Sequence, residues 1–148
     1  MKRILIATDG SSGAGHALDE GLSLAAQLQA EVVVAYVRQP PGSFLGAPYY
    51  QDVITEEAGH SRAVITDARL YATRYDVEVD CEVKEGDPVE AILALARSRD
   101  ADLIVVGSRG LGTVKGLVLG SVSNAILHQA DRPVLVAKAP TAAAVAAS

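Results

Sequence analysis

Several short runs in this chain carry apolar side chains without alternation. Ile4-Leu5-Ile6-Ala7, Val32-Val33-Val34-Ala35-Tyr36-Val37 and Leu103-Ile104-Val105-Val106 contain no charged residue. Side chains of a strand point alternately to its two faces, so a run without alternation must be covered on both. A parallel sheet with helices packed on each side meets that condition. The stretch from Asp76 to Lys84 behaves differently. Val77, Val79, Cys81 and Val83 alternate there with Asp76, Glu78, Asp80, Glu82 and Lys84. One wet face places that strand at an edge. Val134-Leu135-Val136-Ala137 follows Pro133, which suits a strand's first residue or an edge because proline donates nothing to a ladder.

Helical patterns fill the spaces between the runs. Ala14, Leu18, Leu22 and Ala25 share one face of the first helix, and His16, Glu20, Ser23 and Gln27 share the other. A second helix is predicted over about residues 51–74, with Ile54, Ala58, Ile65, Ala68 and Ala72 in register. Asp87-Pro88 opens a third, as N-cap and first helical residue, and Val89, Ile92, Leu93 and Ala96 face the core. A fourth starts near Ser121 and runs to Ala130. Strands alternating with helices predict an α/β domain, doubly wound, over residues 1–139. Residues 39–50, with Pro40, Pro41, Gly42, Gly46 and Pro48, read as a surface loop, and residues 140–148 as a frayed Ala-rich tail.

Composition narrows the function. The 148 residues suffice for one domain, and 49% apolar with 21% charged residues is a globular balance. A net charge of −5 opposes bulk nucleic-acid binding, which rests on phosphate neutralisation. One cysteine excludes an internal disulfide and a multi-cysteine metal site. No apolar run approaches a membrane span, and the opening run meets Asp9 too soon for a signal peptide. The expectation is a cytoplasmic protein without membrane or nucleic-acid partners.

The segment from Gly107 to Ser123 carries the chemistry. It holds five glycines in fourteen residues between a buried strand and a helix. Glycine there suits sharp turns or close approach to a ligand. A helix N-terminus offers free N–H groups and partial positive charge, so it receives phosphate. Ser121 and Ser123 can add hydroxyls, and Arg109 and Lys115 are the segment's positive side chains. Two common phosphate motifs fail. No Lys-Ser or Lys-Thr pair exists for a Walker A loop, and Gly110, Gly112 and Gly116 are spaced one residue too long for the dinucleotide fingerprint.

Gly107, Gly110, Gly120 and Ser121 do fill the pattern G-x2-G-x9-G-[ST]. In this the chain resembles the ATP-binding type of the universal stress protein family. The likeness extends to Thr8-Asp9-Gly10-Ser11 closing the first strand, Val37 closing the second, Asp102 to Gly107 before the signature, and Arg132-Pro133-Val134-Leu135-Val136 after it. It implies a five-stranded sheet in the order 3-2-1-4-5, ATP binding, and a homodimer joined through the last strand, which opens at Val134 and reaches Lys138. Ligands of such sheets bind beyond the carboxyl ends of the strands where the order reverses. The resemblance sets Ala7, Thr8 and Asp9 beside the nucleoside and the backbone of Val37 at the adenine edge. It lines the phosphates with Gly107 and Gly110 and holds them with Gly120, Ser121, Val122 and Ser123. Arg109 and Lys115 occupy variable positions of the signature, and a phosphate role for Arg109 is an inference from charge. Tyr36 departs from the family, which often has His there.

Plainer readings stand beside these. Asp9 can cap the first helix with Ser11 or Ser12, and Ser121 can cap the fourth. The glycines can be a flexible connection, and Arg109 and Lys115 solvated charges. Cys81 reads as a small core residue, and His16, His60 and His128 have no ligand spacing. The functional expectation is an ATP-binding stress-response module with slow or no hydrolysis, because Asp9 is the sole base near the phosphates. Mg²⁺ or Mn²⁺ would be shared with the phosphates. The alternatives are a binder of AMP or cyclic AMP, a dimeric interaction protein without nucleotide, and an adenylate-transferring enzyme. Against the enzyme, Asp9-Gly10-Ser11-Ser12-Gly13 does not match the S-G-G-x-D-S run such enzymes carry.

Overall fold

The structure, a computed structural model, describes residues 1–10, 12–38, 47–108 and 119–138. In chain order these form β1 (Arg3–Thr8), α1 (Ser12–Leu28), β2 (Glu31–Arg38), α2 (Ala47–Arg74), β3 (Val79–Glu85), α3 (Pro88–Ser98), β4 (Leu103–Gly107), α4 (Ser121–Gln129) and β5 (Val134–Ala137). All strand pairs are parallel, and the order across the sheet is β3-β2-β1-β4-β5. The uninterrupted apolar runs are the three central strands, and the alternating run is the edge strand β3, as their patterns require. No described helix is long and apolar enough to cross a membrane.

The strand period of two divides the core. Ile4 and Ile6 face α1 and α2, packing with Leu18, Leu22 and Ala68. Leu5 faces α3 and α4, packing with Ile92, Ala96 and Ile126. A carboxylate fixes the register of the central pair. Asp102, just before β4, accepts from the N–H groups of Lys2 and Arg3 at 2.8 and 3.0 Å. Those two donors hold its carboxyl below the usual carboxylate range.

α3 begins as its sequence predicts. Pro88 opens the helix, and the Asp87 carboxylate accepts from Glu90 N–H at 3.0 Å. Other boundaries differ. α2 starts at Ala47, so residues 47–50 of the predicted loop are helical, with Pro48 in the helix's first turn, and residues 39–46 lie outside the described residues. Proline is tolerated there because that turn's N–H groups have no intrahelical acceptor. β3 starts at Val79 rather than Asp76. Asp76 has φ +54° and the Val77 N–H reaches back to Ala72 O at 3.2 Å, so both residues close α2 in a Schellman turn. Val83, expected on the core side with Val77, Val79 and Cys81, is exposed near the end of the edge strand. Cys81 is half-buried against the core, and burial pushes its thiol pKa up. Residues 140–148, read as a frayed tail, lie outside the described residues.

α1 lies close under the sheet because Gly21 has no side chain. A Cβ there would stand 2.5 Å from Ile6 Cδ1 and 2.7 Å from its Cγ1, and Ile6 is fully buried. Alanine favours a helix interior over glycine by about 1 kcal/mol. Overpacking a core costs about 1–3 kcal/mol. Gly21→Ala is therefore expected to lower unfolding free energy in urea, by about 1 kcal/mol net. Trimming the obstacle with Ile6→Val should recover part of that loss in the double variant. A more stable Gly21→Ala protein would contradict the close approach.

Candidate functional site

The two central strands part at their carboxyl ends. The β1–β4 ladder pairs Ile4 with Leu103, Leu5 with Ile104 and Ile6 with Val105, and goes no further. Beyond it β1 stays with β2, ending on Thr8 opposite Tyr36, while β4 stays with β5, ending on Gly107 opposite Ala137. A cleft of about 270 Å³ opens where they separate. This is the position at which the reversal of strand order leaves room in a doubly wound sheet.

Several of its walls are residues the sequence singled out. Ala7, Thr8 and Asp9 line it from the end of β1, Val37 from β2 and Gly107 from β4. Gly120, Ser121, Val122 and Ser123 close it from α4. Arg109, Gly110 and Lys115 lie outside the described residues. Sequence reasoning missed the apolar floor, which Val106, Ile92 and Ile126 form with Pro88 and Ala14 beside them. A signal for Pro88 was present. Helices that follow parallel strands begin at the edge where those strands end, so the Asp87-Pro88 start of α3 belongs beside Asp9 and Gly107. Ile92 and Ile126 read simply as core, because apolar periodicity does not tell a packed face from a ligand-facing one.

The α4 end of the cleft is built for an acceptor. The helix N-cap is Gly120 rather than Ser121, since Asn124 N–H already bonds the Gly120 carbonyl at 2.9 Å. Gly120 offers no side chain, and among the described residues no side-chain hydrogen bond caps the helix. The first-turn N–H groups of Ser121, Val122 and Ser123 thus lack the capping oxygen that most helices supply. Gly120 sits at φ −61°, ψ 160°, a conformation open to any residue. Backbone strain does not demand the glycine, and the cleft it lines offers the other reason for it. The Ser123 hydroxyl, expected to serve a ligand, donates instead to the Gly107 carbonyl at 2.6 Å. Gly120 N–H donates to the Ser108 carbonyl at 2.9 Å, and Ser108 N–H to Ala137 O at 2.9 Å. These bonds tie both ends of the glycine segment to β4 and β5.

Opposite α4 stands Asp9, exposed, the one formally charged side chain among the described lining residues. Behind it Thr8 is buried, and its hydroxyl accepts from Gly10 N–H at 3.2 Å. Gly10 has φ +80°, which an L side chain rarely adopts, and a Cβ there would stand 2.7 Å from Val64 Cγ2. The turn that presents Asp9 therefore depends on this glycine. The cleft combines an apolar floor, one carboxylate and a row of backbone N–H donors. It suits a ligand with an apolar body and an anionic end.

Comparison with known proteins agrees with this architecture. The sequence profile of the universal stress protein family matches residues 1–138. A universal stress protein of Thermus aquaticus is 35% identical over 138 residues, covering 93% of this chain and 99% of its own. Among solved structures, the universal stress protein UspA of Lactobacillus plantarum superposes with a TM-score of 0.80 at 25% identity, over 92% of this chain and 97% of its own. A universal stress protein solved in complex with cAMP gives a TM-score of 0.71 at 30% identity, over 91% and 95% of the two chains. The chain belongs to the universal stress protein family.

Proposed function

We propose that this chain binds an adenine nucleotide, ATP, in the cleft between β1 and β4, and acts as a nucleotide-dependent regulatory module of the stress response. One observation carries the reading. The uncapped start of α4 faces a partly apolar cleft at the point where the sheet reverses its order, and Gly120 stands at its rim with no conformational need to be glycine. The apolar floor of Val106, Ile92 and Ile126 suits a purine. Val37 runs one residue past the end of β1, at the mouth of the cleft, which suits a backbone contact to the base edge. The phosphates would lie at the N–H groups of Ser121, Val122 and Ser123, with Gly107 and Gly110 alongside. Arg109 would add charge to them.

A divalent cation fits this arrangement only as a companion of the phosphates. Among the described residues no group of three His, Cys, Asp or Glu side chains forms a metal site. Asp9 would supply the single protein carboxylate to Mg²⁺ or Mn²⁺, which would neutralise charge between the phosphates. Rapid hydrolysis also needs a group that orients the attacking water and further positive charge on the leaving phosphates. Asp9 alone gives slow turnover or none. Cyclic AMP is the second reading, favoured by the relative solved with that ligand.

Gly120→Val is the direct test, read by isothermal titration with ATP and Mg²⁺. The backbone at Gly120 accepts valine, so the fold should persist while the branched side chain fills the phosphate space. Affinity for ATP is expected to fall by about tenfold or more, which is about 1.4 kcal/mol. Unchanged affinity in a folded variant would refute the site, and tighter binding of cyclic AMP than ATP by the parent chain would favour the second reading.

We also propose pairing of two copies through β5. Val134, Leu135 and Val136 are half-buried on the sheet's outer strand, whose outer ladder has no strand partner among the described residues and can pair with its own copy. Light scattering at micromolar protein is expected to give twice the chain mass, and a monomer mass would contradict the pairing.

A further inference from the structure

A second cleft, of about 350 Å³, lies on the other face of the sheet between α1 and α2. It shares Thr8 with the first, so the end of β1 is the partition between them. The turn that presents Asp9 to one cleft presents Gly10 to the other. α2 bears directly on that turn, because the Cβ position of Gly10 lies 2.7 Å from Val64 Cγ2 and 3.6 Å from His60 Nε2. The His60 ring is fixed in turn, edge-on to buried Tyr36 with centroids 5.8 Å apart.

The chemistry of this cleft is specific. His60, Val64, Asp67 and Tyr71 follow one another along one stripe of α2, at intervals of one helical turn. Leu18 and Val64 give it an apolar wall, and Asp67 is the one Asp, Glu, Lys or Arg among its lining residues. Tyr71 approaches so near to α1 that a Cβ at Gly15 would stand 2.9 Å from its hydroxyl oxygen. The Tyr75 hydroxyl donates to Asp19 at 3.0 Å, and burial together with that bond pushes its pKa up. Asp67 has no such partner among the described residues. A carboxylate and a tyrosine hydroxyl beside an apolar wall are complementary to an ammonium group on an apolar body.

We propose that this cleft is a second ligand site, that it takes a small organic amine, and that its occupancy is coupled to the nucleotide cleft through Thr8, Asp9 and Gly10. The site rests on the α1–α2 geometry alone, and the coupling rests also on the nucleotide reading above. An amine that orders α2 against Gly10 changes the freedom of the turn carrying Asp9. By linkage the nucleotide then changes affinity for the amine by the same factor.

The test uses the full chain, labelled with ¹⁵N and freed of nucleotide, titrated with phenethylamine and followed by amide shifts. Saturable shifts are expected at Gly10, Gly15 and the 60–71 stretch of α2. Asp67→Asn, on an exposed helix position, should weaken binding by about tenfold or more. Ala63→Phe, also exposed, should block the cleft with the carboxylate intact. Phenethyl alcohol and phenylacetate should bind about tenfold more weakly than the amine. Absence of saturable shifts, or equal binding of the alcohol or of the Asp67→Asn variant, overturns the site. ATP affinity is then measured with and without saturating amine, and a change of about twofold or more is expected. Equal affinities overturn the coupling. A chain that takes the amine and no ATP overturns the nucleotide reading and the coupling while supporting the amine site.

Discussion

The short ladder between β1 and β4 is the constraint on which the site depends. Three register pairs, from Ile4–Leu103 to Ile6–Val105, hold the centre of the sheet together. After them each strand follows a different neighbour. Ile4, Leu5, Ile6, Ile104 and Val105 are fully buried, and Asp102 pins the start of β1. The chain therefore cannot close the gap above Val105 without unpairing β1 from β2 or β4 from β5. A cleft at this place follows from the strand order, and side chains only decide what it receives.

Those side chains divide the work by type. Apolar groups from α3, α4 and β4 make the floor. The acceptor-seeking end is backbone, with Gly120 leaving the first turn of α4 uncapped. The polar side chains present are largely committed to structure. Ser123 bonds Gly107, and Thr8 bonds Gly10. Helix-end N–H groups attract anions without adding positive side chains to the surface, so the proposed phosphate seat is compatible with an acidic chain.

Much of this was legible in the sequence. Unalternated runs such as Val32 to Val37 identified central strands, and Asp87-Pro88 marked the start of α3, because burial and capping are local requirements. Of the glycine signature, Gly107, Gly120 and Ser121 line the cleft. What failed was decided by geometry beyond local pattern. Asp76 carries a strand-like alternation yet serves as the left-handed cap of α2. Val83 sits in the same alternation but is exposed near the end of the edge strand. Ser121 has the chemistry of a cap and stands one residue inside the helix, since the first ladder bond goes to Gly120. Pro88 and Ile92 reach the cleft only through the packing of α3 on the sheet.

The central claim is that the cleft between β1 and β4 holds an adenine nucleotide. The most direct measurement is made on protein purified without added nucleotide, denatured, and its released small molecules separated and quantified per chain. ATP is expected in a substantial fraction of chains, with little ADP if turnover is slow. An empty protein that shows no thermal stabilisation by millimolar ATP with Mg²⁺ would contradict nucleotide binding in this cleft.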